Sequence, residues 1–216
     1  SPTTLGSPMR PLVSFLLPLL LVGCVTVSDR PETTAPRAPL GEHAQLSLIS
    51  AQDKVDLLLN GDNQILEAVL NDPGAYPPPV LFALAETLYR QGEMTPAIFW
   101  YYTAQLRARS DANKSLDPSV AAAVTTLSNQ YGHGITRYAL THLSELRTTM
   151  THVLEWDANS RRLYNPRWVA LLGQNAYQSE HIAFQPPEAW RKIDADTRAG
   201  FRRGFEQMMQ KLTGQP

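Results

Sequence analysis

A single cysteine, Cys24, stands in the 216 residues, so no disulfide can form within the chain. Charge of either sign is in no excess. Nineteen basic residues against 20 acidic ones leave a formal charge of −1, without the strongly basic balance of a nucleic-acid binder. Sustained apolar–polar alternation and runs rich in Val, Ile and Thr are missing, which argues against strands. Catalytic signatures are scarce as well: neither a G-x-S-x-G elbow nor an H-E-x-x-H pair occurs. Gly132-His133-Gly134 begins like a nucleotide loop, but Arg137 takes the third glycine position and the segment joins helices rather than following a strand. Five histidines are scattered at 43, 133, 142, 152 and 181. His142 and His152 fall about 80° apart around a helix, so they form no metal-ligating pair. No metal and no cofactor is expected.

What is present begins with an apolar run. Met9-Arg10-Pro11 is followed by Leu12 to Val22, which carries no charge. That run is too short to span a bilayer, which needs about 20 apolar residues, and it matches the apolar core of a signal peptide with Arg10 as its positive flank. It ends Leu21-Val22-Gly23-Cys24, which resembles the bacterial lipobox. The resemblance implies cleavage between Gly23 and Cys24 and acylation of the Cys24 thiol. Residues 1–23 are therefore expected to be a signal peptide, with residues 1–8, upstream of Met9, read as not native. Two or more acyl chains hold a protein stably at a membrane. Val25 stands where an aspartate would retain a lipoprotein at the inner membrane, so the expected address is the outer membrane with the domain in the periplasm. Residues 24–41, with Pro31, Pro36 and Pro39, read as a flexible tether.

From residue 42 to 216 the periodicity is helical, and most of the 17 prolines lie outside the periodic stretches. One helix is expected over Glu42–Asn60, with Leu46, Ile49, Val55 and Leu58 on its apolar face and Gly61 ending it. A short one follows over Gln64–Leu70. Pro77-Pro78-Pro79 opens a helix to Gln91, stopped by Gly92. Thr95-Pro96 reads as a threonine cap with proline at the first position, and that helix runs to about Arg109. Asp117-Pro118 opens another to about Tyr131, and Gly132 and Gly134 read as the next turn. Ala139, Leu143, Leu146, Met150 and Val153 then share one face. A short helix starts near Arg167, and a last one follows Pro186-Pro187 with Phe201, Phe205, Met208 and Leu212 spaced alike.

Leu84, Ala85, Leu88, Gly92, Ala97, Tyr101 and Ala104 resemble one tetratricopeptide unit, in which small residues let two antiparallel helices pack closely. No second copy follows, and a generic antiparallel hairpin fits the same residues. Phe99-Trp100-Tyr101-Tyr102 puts four aromatics in every direction around a helix. Either this helix is central, or part of the run is a binding face, since aromatic residues and arginine dominate interface hot spots. The candidate protein-binding residues are Trp100, Tyr102, Gln105, Arg107 and Arg109. Gln105, Arg107 and Arg109 are polar groups of the kind that more often mark a solvated helix end than a site. Arg198, Arg202, Arg203 and Lys211 make the last helix mildly basic, which suits a solvated face, an acidic partner or phospholipid headgroups.

Three segments, Ile98 to Arg109, Leu154-Glu155-Trp156-Asp157 and Tyr164 to Ala170, together resemble exported helical immunity proteins that block type VI secretion phospholipase effectors. The fold class expected is thus all-α, an irregular helical bundle containing a tetratricopeptide-like hairpin. The resemblance implies a non-enzymatic, lipid-anchored protein that binds a toxin or effector. The alternative is a scaffolding or adaptor lipoprotein in envelope assembly.

Overall fold

Proline and glycine punctuate this chain, and the computed structural model, which describes residues 37–214, follows most of that punctuation. The expected signal peptide, the Gly23–Cys24 site and most of the 24–41 tether lie outside the described residues. Among the described residues there are eight α-helices: α1 (Gly41–Leu48), α2 (Gln52–Leu59), α3 (Asn63–Asn71), α4 (Pro78–Arg90), α5 (Met94–Ala112), α6 (Ser119–Thr141), α7 (Leu143–Asn159) and α8 (Pro187–Thr213). Short 3₁₀ segments lie at Pro73–Ala75, Pro166–Leu172 and Gln174–Tyr177. The one β pairing among these residues is a single bridge between Ser115 and Phe184. The fold is an all-α bundle.

Local chemistry explains the helix boundaries that were expected. Asp62 caps α3, its carboxylate accepting from the amides of Gln64 and Ile65 at 2.9 and 3.0 Å. Proline sits in the first turn of both α4 and α8, where a missing N–H costs nothing. Gly61 and Gly92 follow α2 and α4 with φ of +82° and +81°, a conformation that disfavours any side chain. Asp117 accepts from the amide of Ser119 at 2.9 Å and so caps α6 from two residues upstream.

Three boundaries and one buried face differ from expectation. The stretch 42–60 is two helices, because the chain turns at Ile49, which is 75% exposed rather than on an apolar face. Thr95 lies inside α5 and caps nothing; its hydroxyl donates to Glu145 on α7. The chain does not turn at Gly132 and Gly134, which lie within α6; the break comes at His142, so Ala139 belongs to α6 and Leu146, Met150 and Val153 to α7. On α8 the buried apolar residue is Met209, whereas Leu212 is 49% exposed.

The two α6 glycines serve packing. A Cβ on Gly132 would lie 2.2 Å from the Tyr101 hydroxyl, and one on Gly134 would lie 2.4 Å from the Tyr89 ring. Their absence of a side chain lets tyrosines of α5 and α4 press against the α6 backbone. Tyr101 is thereby buried at the centre of the bundle, 5.8 Å from Phe82, which in turn stacks on Tyr131 at 5.6 Å. Helix α5 packs against α4, α6, α7 and α8. The tetratricopeptide-like positions Leu84, Ala85, Leu88, Ala97, Tyr101 and Ala104 are all buried in the core that α4 and α5 share.

These contacts set a paired test. Gly132→Ala should lower stability by about 1–3 kcal/mol through overpacking against Tyr101. Gly204→Ala on α8, where a Cβ meets nothing within 4 Å, should raise it by roughly 0.5–1 kcal/mol through helix propensity. Urea unfolding followed by circular dichroism measures both.

Candidate functional site

Two features meet where α8 crosses α5 and α7: a buried set of ion pairs and an open cleft. The ion pairs grow from the end of α5, where Arg107 and Asp111 share a face four residues apart and Lys114 follows three residues on, just past the helix. All three are buried, with Arg107 and Asp111 fully so. Asp157 of α7 is buried too and accepts from three arginines: Arg107 Nε at 2.9 Å, Arg162 Nη2 at 3.1 Å and Arg198 Nε of α8 at 2.9 Å. Arg162 reaches on to Asp194 of α8 at 2.7 Å, and Lys114 Nζ lies 2.8 Å from Asp111 and 2.7 Å from Asp194. Ser110 also donates to Asp194. Tyr164 Oη and Trp168 Nε1 both donate to Asp111 Oδ2 at 2.9 Å. The Arg107 guanidinium lies 4.4 Å from the Trp156 ring centroid, and its Nη1 has no acceptor among the described residues.

The titration of these groups follows from their surroundings. Burial alone would raise Asp157, but Arg162, Arg107 and Arg198 outweigh it and hold the carboxyl below its ordinary range. For Asp111 burial prevails over Lys114 and Arg162, and its pKa moves up. Burial works against the Arg162 charge, yet Tyr164, Asp157, Asp111 and Asp194 hold its pKa up. Tyr164 is driven well above the ordinary tyrosine range by burial and by the Asp111 charge.

Beside this cluster a cleft of about 730 Å³ runs between α5 and α8, with Met150 of α7 contributing to its lining. Tyr102, Gln105, Arg109 and Asn113 line it from α5; Ile193, Thr197, Gly200, Phe201, Gly204, Phe205 and Met208 line it from α8. Asn113 Nδ2 donates to Thr197 Oγ1 at 2.9 Å and ties the two helices together. Arg109 sits over the Phe201 ring at 5.4 Å and forms no ion pair among the described residues. Burial, and then Tyr101, push the Tyr102 hydroxyl up to about 12, with Arg109 pulling the other way. A second cleft of about 550 Å³ opens on the other flank of α8, lined by Arg147, Thr151 and Leu154 of α7 and by Arg202, Phe205 and Met209.

Of the five candidate binding residues, Tyr102, Gln105 and Arg109 come together on the first cleft. Trp100 and Arg107 do not. Trp100 is 8% exposed and packs edge-on against Phe99 and Trp156, at 4.8 and 5.3 Å, because α5 has a helix on nearly every side. Arg107 is no solvated helix end: the Asp157 carboxylate draws it into the core. Gln105 donates to Ser128 of α6 at 2.9 Å. His142 stacks on Tyr138, whose hydroxyl donates to Glu145 at 3.1 Å. The residues that sequence reasoning missed are Asp111, Lys114, Asp157, Arg162 and Asp194. One signal could have found the first two, namely their spacing from Arg107. No group of three or more His, Cys, Asp or Glu residues is arranged to hold a metal among the described residues.

The fold and its surface define a helical-bundle protein with an open cleft along its last helix. Comparison with protein families, curated proteins and solved structures finds no match for this chain.

Two measurements probe the ion cluster. Asp157→Ala leaves three arginines without their shared carboxylate, and a loss of about 3–5 kcal/mol is expected in urea unfolding. The raised tyrosine values set an alkaline limit. Unfolded tyrosine ionises from about pH 10, whereas Tyr164 and Tyr102 stay protonated in the folded chain. Their contribution is thus complete below about pH 10 and is lost as pH rises above it toward their folded values. The urea midpoint should be level from pH 8 to 10 and drop by pH 11, with a smaller drop in Tyr164→Phe.

Proposed function

We propose that this chain is a non-enzymatic, lipid-anchored protein of the bacterial outer membrane that binds a partner protein in the periplasm and neutralises it. The observation that carries the binding claim is the state of the C-terminal half of α8. It rests on the bundle through Phe201, Phe205, Met208 and Met209 while clefts lie open on both flanks, and Leu212 stands exposed beyond them. Arg202, Arg203 and Lys211 outnumber Glu206 among the exposed charges of this half, so the partner surface that complements it is apolar at its centre and mainly acidic at its rim. The likeness to immunity proteins supports a toxin, such as a phospholipase effector, as that partner. The Leu21-Val22-Gly23-Cys24 tetrapeptide supports the anchor. An envelope-assembly adaptor using the α4–α5 hairpin is supported less, since most of α4 is buried in the core.

The test is to express the product of the gene adjoining this one in the periplasm, with and without this chain. Protection from toxicity and stoichiometric copurification are expected, and Leu212→Asp with Arg202→Glu should weaken both at least tenfold without changing the circular dichroism. A bound neighbour unaffected by these two changes would refute the α8 face, and a harmless, unbound neighbour would refute neutralisation. For the anchor, Cys24→Ser should abolish acyl labelling and release the protein from membrane fractions; unchanged labelling would rule out the lipobox.

A further inference from the structure

Asn60-Gly61 is the one Asn-Gly pair in the chain, and it lies where α2 ends. In such a pair the asparagine carboxamide carbon is open to attack by the next backbone nitrogen, since glycine has no Cβ to hinder the approach. Both residues are exposed, so solvent reaches them and burial gives no protection. Geometry protects them instead. Ring closure needs Asn60 Cβ and the Gly61 nitrogen eclipsed about the Cα–C bond, roughly a third of a turn from the observed ψ of 1°. The reacting N–H is also engaged, donating to Leu58 O at 3.0 Å, while the Asp62 N–H donates to Leu57 O at 3.0 Å. With Gly61 at φ +82°, these two bonds form a Schellman turn that closes α2.

The turn is held from outside as well. The Thr87 hydroxyl of α4 lies 3.0 Å from Leu58 O, and Arg90 Nη1 donates to Leu59 O at 3.3 Å. On the far side Asp62 caps α3 through the Gln64 and Ile65 amides. The rotation that brings the reacting atoms together breaks both turn bonds and pulls Asp62 from its cap. It therefore demands local opening of the α2–α3 junction.

We propose that Asn60 is a latent modification site, closed in the folded chain and converted to aspartate or isoaspartate only when this turn opens. The Gly61 nitrogen bonds to Asn60 Cγ and gives its proton to hydroxide. The Cγ–Nδ2 bond breaks, and Nδ2 takes a proton from water and leaves as ammonia. Water then opens the five-membered imide at either carbonyl. Isoaspartate lengthens the main chain by one methylene, so the α2 turn cannot re-form as it was. This goes beyond the partner reading, since the chain and water are the only reactants. The test is incubation of the full chain in mildly alkaline buffer, with and without unfolding concentrations of urea, followed by peptide mass spectrometry and enzymatic methylation of isoaspartate. Conversion at Asn60 should be at least tenfold faster in urea, where it should also outrun every other asparagine. In buffer, Asp62→Ala, which removes the α3 cap, and Thr87→Val, which removes the α4 contact, should each speed it severalfold. Circular dichroism and the rate in urea should stay unchanged in both variants. Conversion as fast in buffer as in urea, or indifferent to both variants, overturns the protected turn. Conversion in urea slower than at Asn159-Ser160 overturns the assignment of Asn60 as the labile site.

Discussion

Asp157 is the point on which this bundle turns. A carboxylate with no exposed side-chain surface is costly to desolvate, and it persists here because three guanidinium groups from three parts of the chain converge on it. Arg107 brings α5, Arg162 brings the segment after α7, and Arg198 brings α8. Through Arg162 and Lys114 the same cluster reaches Asp194, so the N-terminal half of α8 is tied to the body twice. Such a cluster adds little net energy compared with apolar packing. It does fix geometry, since removing any member leaves a buried charge without its partner.

That geometry decides what the surface offers. Helix α8 is pinned near Asp194 and Arg198, and beyond them Phe201, Phe205 and Met208 pack against the core and Met209 is buried in it. The first cleft begins at Ile193 within the pinned half and the second lies along the other half, so together they flank most of the helix. The buried network and the first cleft are neighbours: Asp194 and Arg198 hold the stretch of α8 whose Ile193, Thr197 and Phe201 form the cleft wall. Gly200 and Gly204 widen the α5-side cleft further by lacking side chains on that wall.

Much of the helical order was legible because proline and glycine act locally. Pro77-Pro78 and Pro186-Pro187 start helices, and Gly61 and Gly92 follow them, for reasons confined to a few residues. Gly132 and Gly134 misled because glycine serves both turns and close approaches. Which one applies depends on Tyr101 and Tyr89, which lie 31 and 45 residues before the glycines they meet. The aromatic run was readable only as a dilemma, resolved by the helices that surround α5: Trp100 and Tyr101 are core, and Tyr102 lines the cleft. Arg107 illustrates the hardest case. A cation late in a helix reads as solvated, and only Asp157, distant in sequence, makes it a core residue. The segments Ile98–Arg109, Leu154–Asp157 and Tyr164–Ala170 do meet in space, supplying Arg107, Trp156, Asp157, Tyr164 and Trp168 to one cluster.

The central claim is that α8 is anchored by ions at its N-terminal half and held by apolar packing alone at the other. Amide hydrogen exchange along α8 tests it directly. Amides around Asp194–Arg198 should exchange only with global unfolding, while those beyond Met209 should exchange orders of magnitude faster through local opening. Uniform protection along the whole helix would contradict the account.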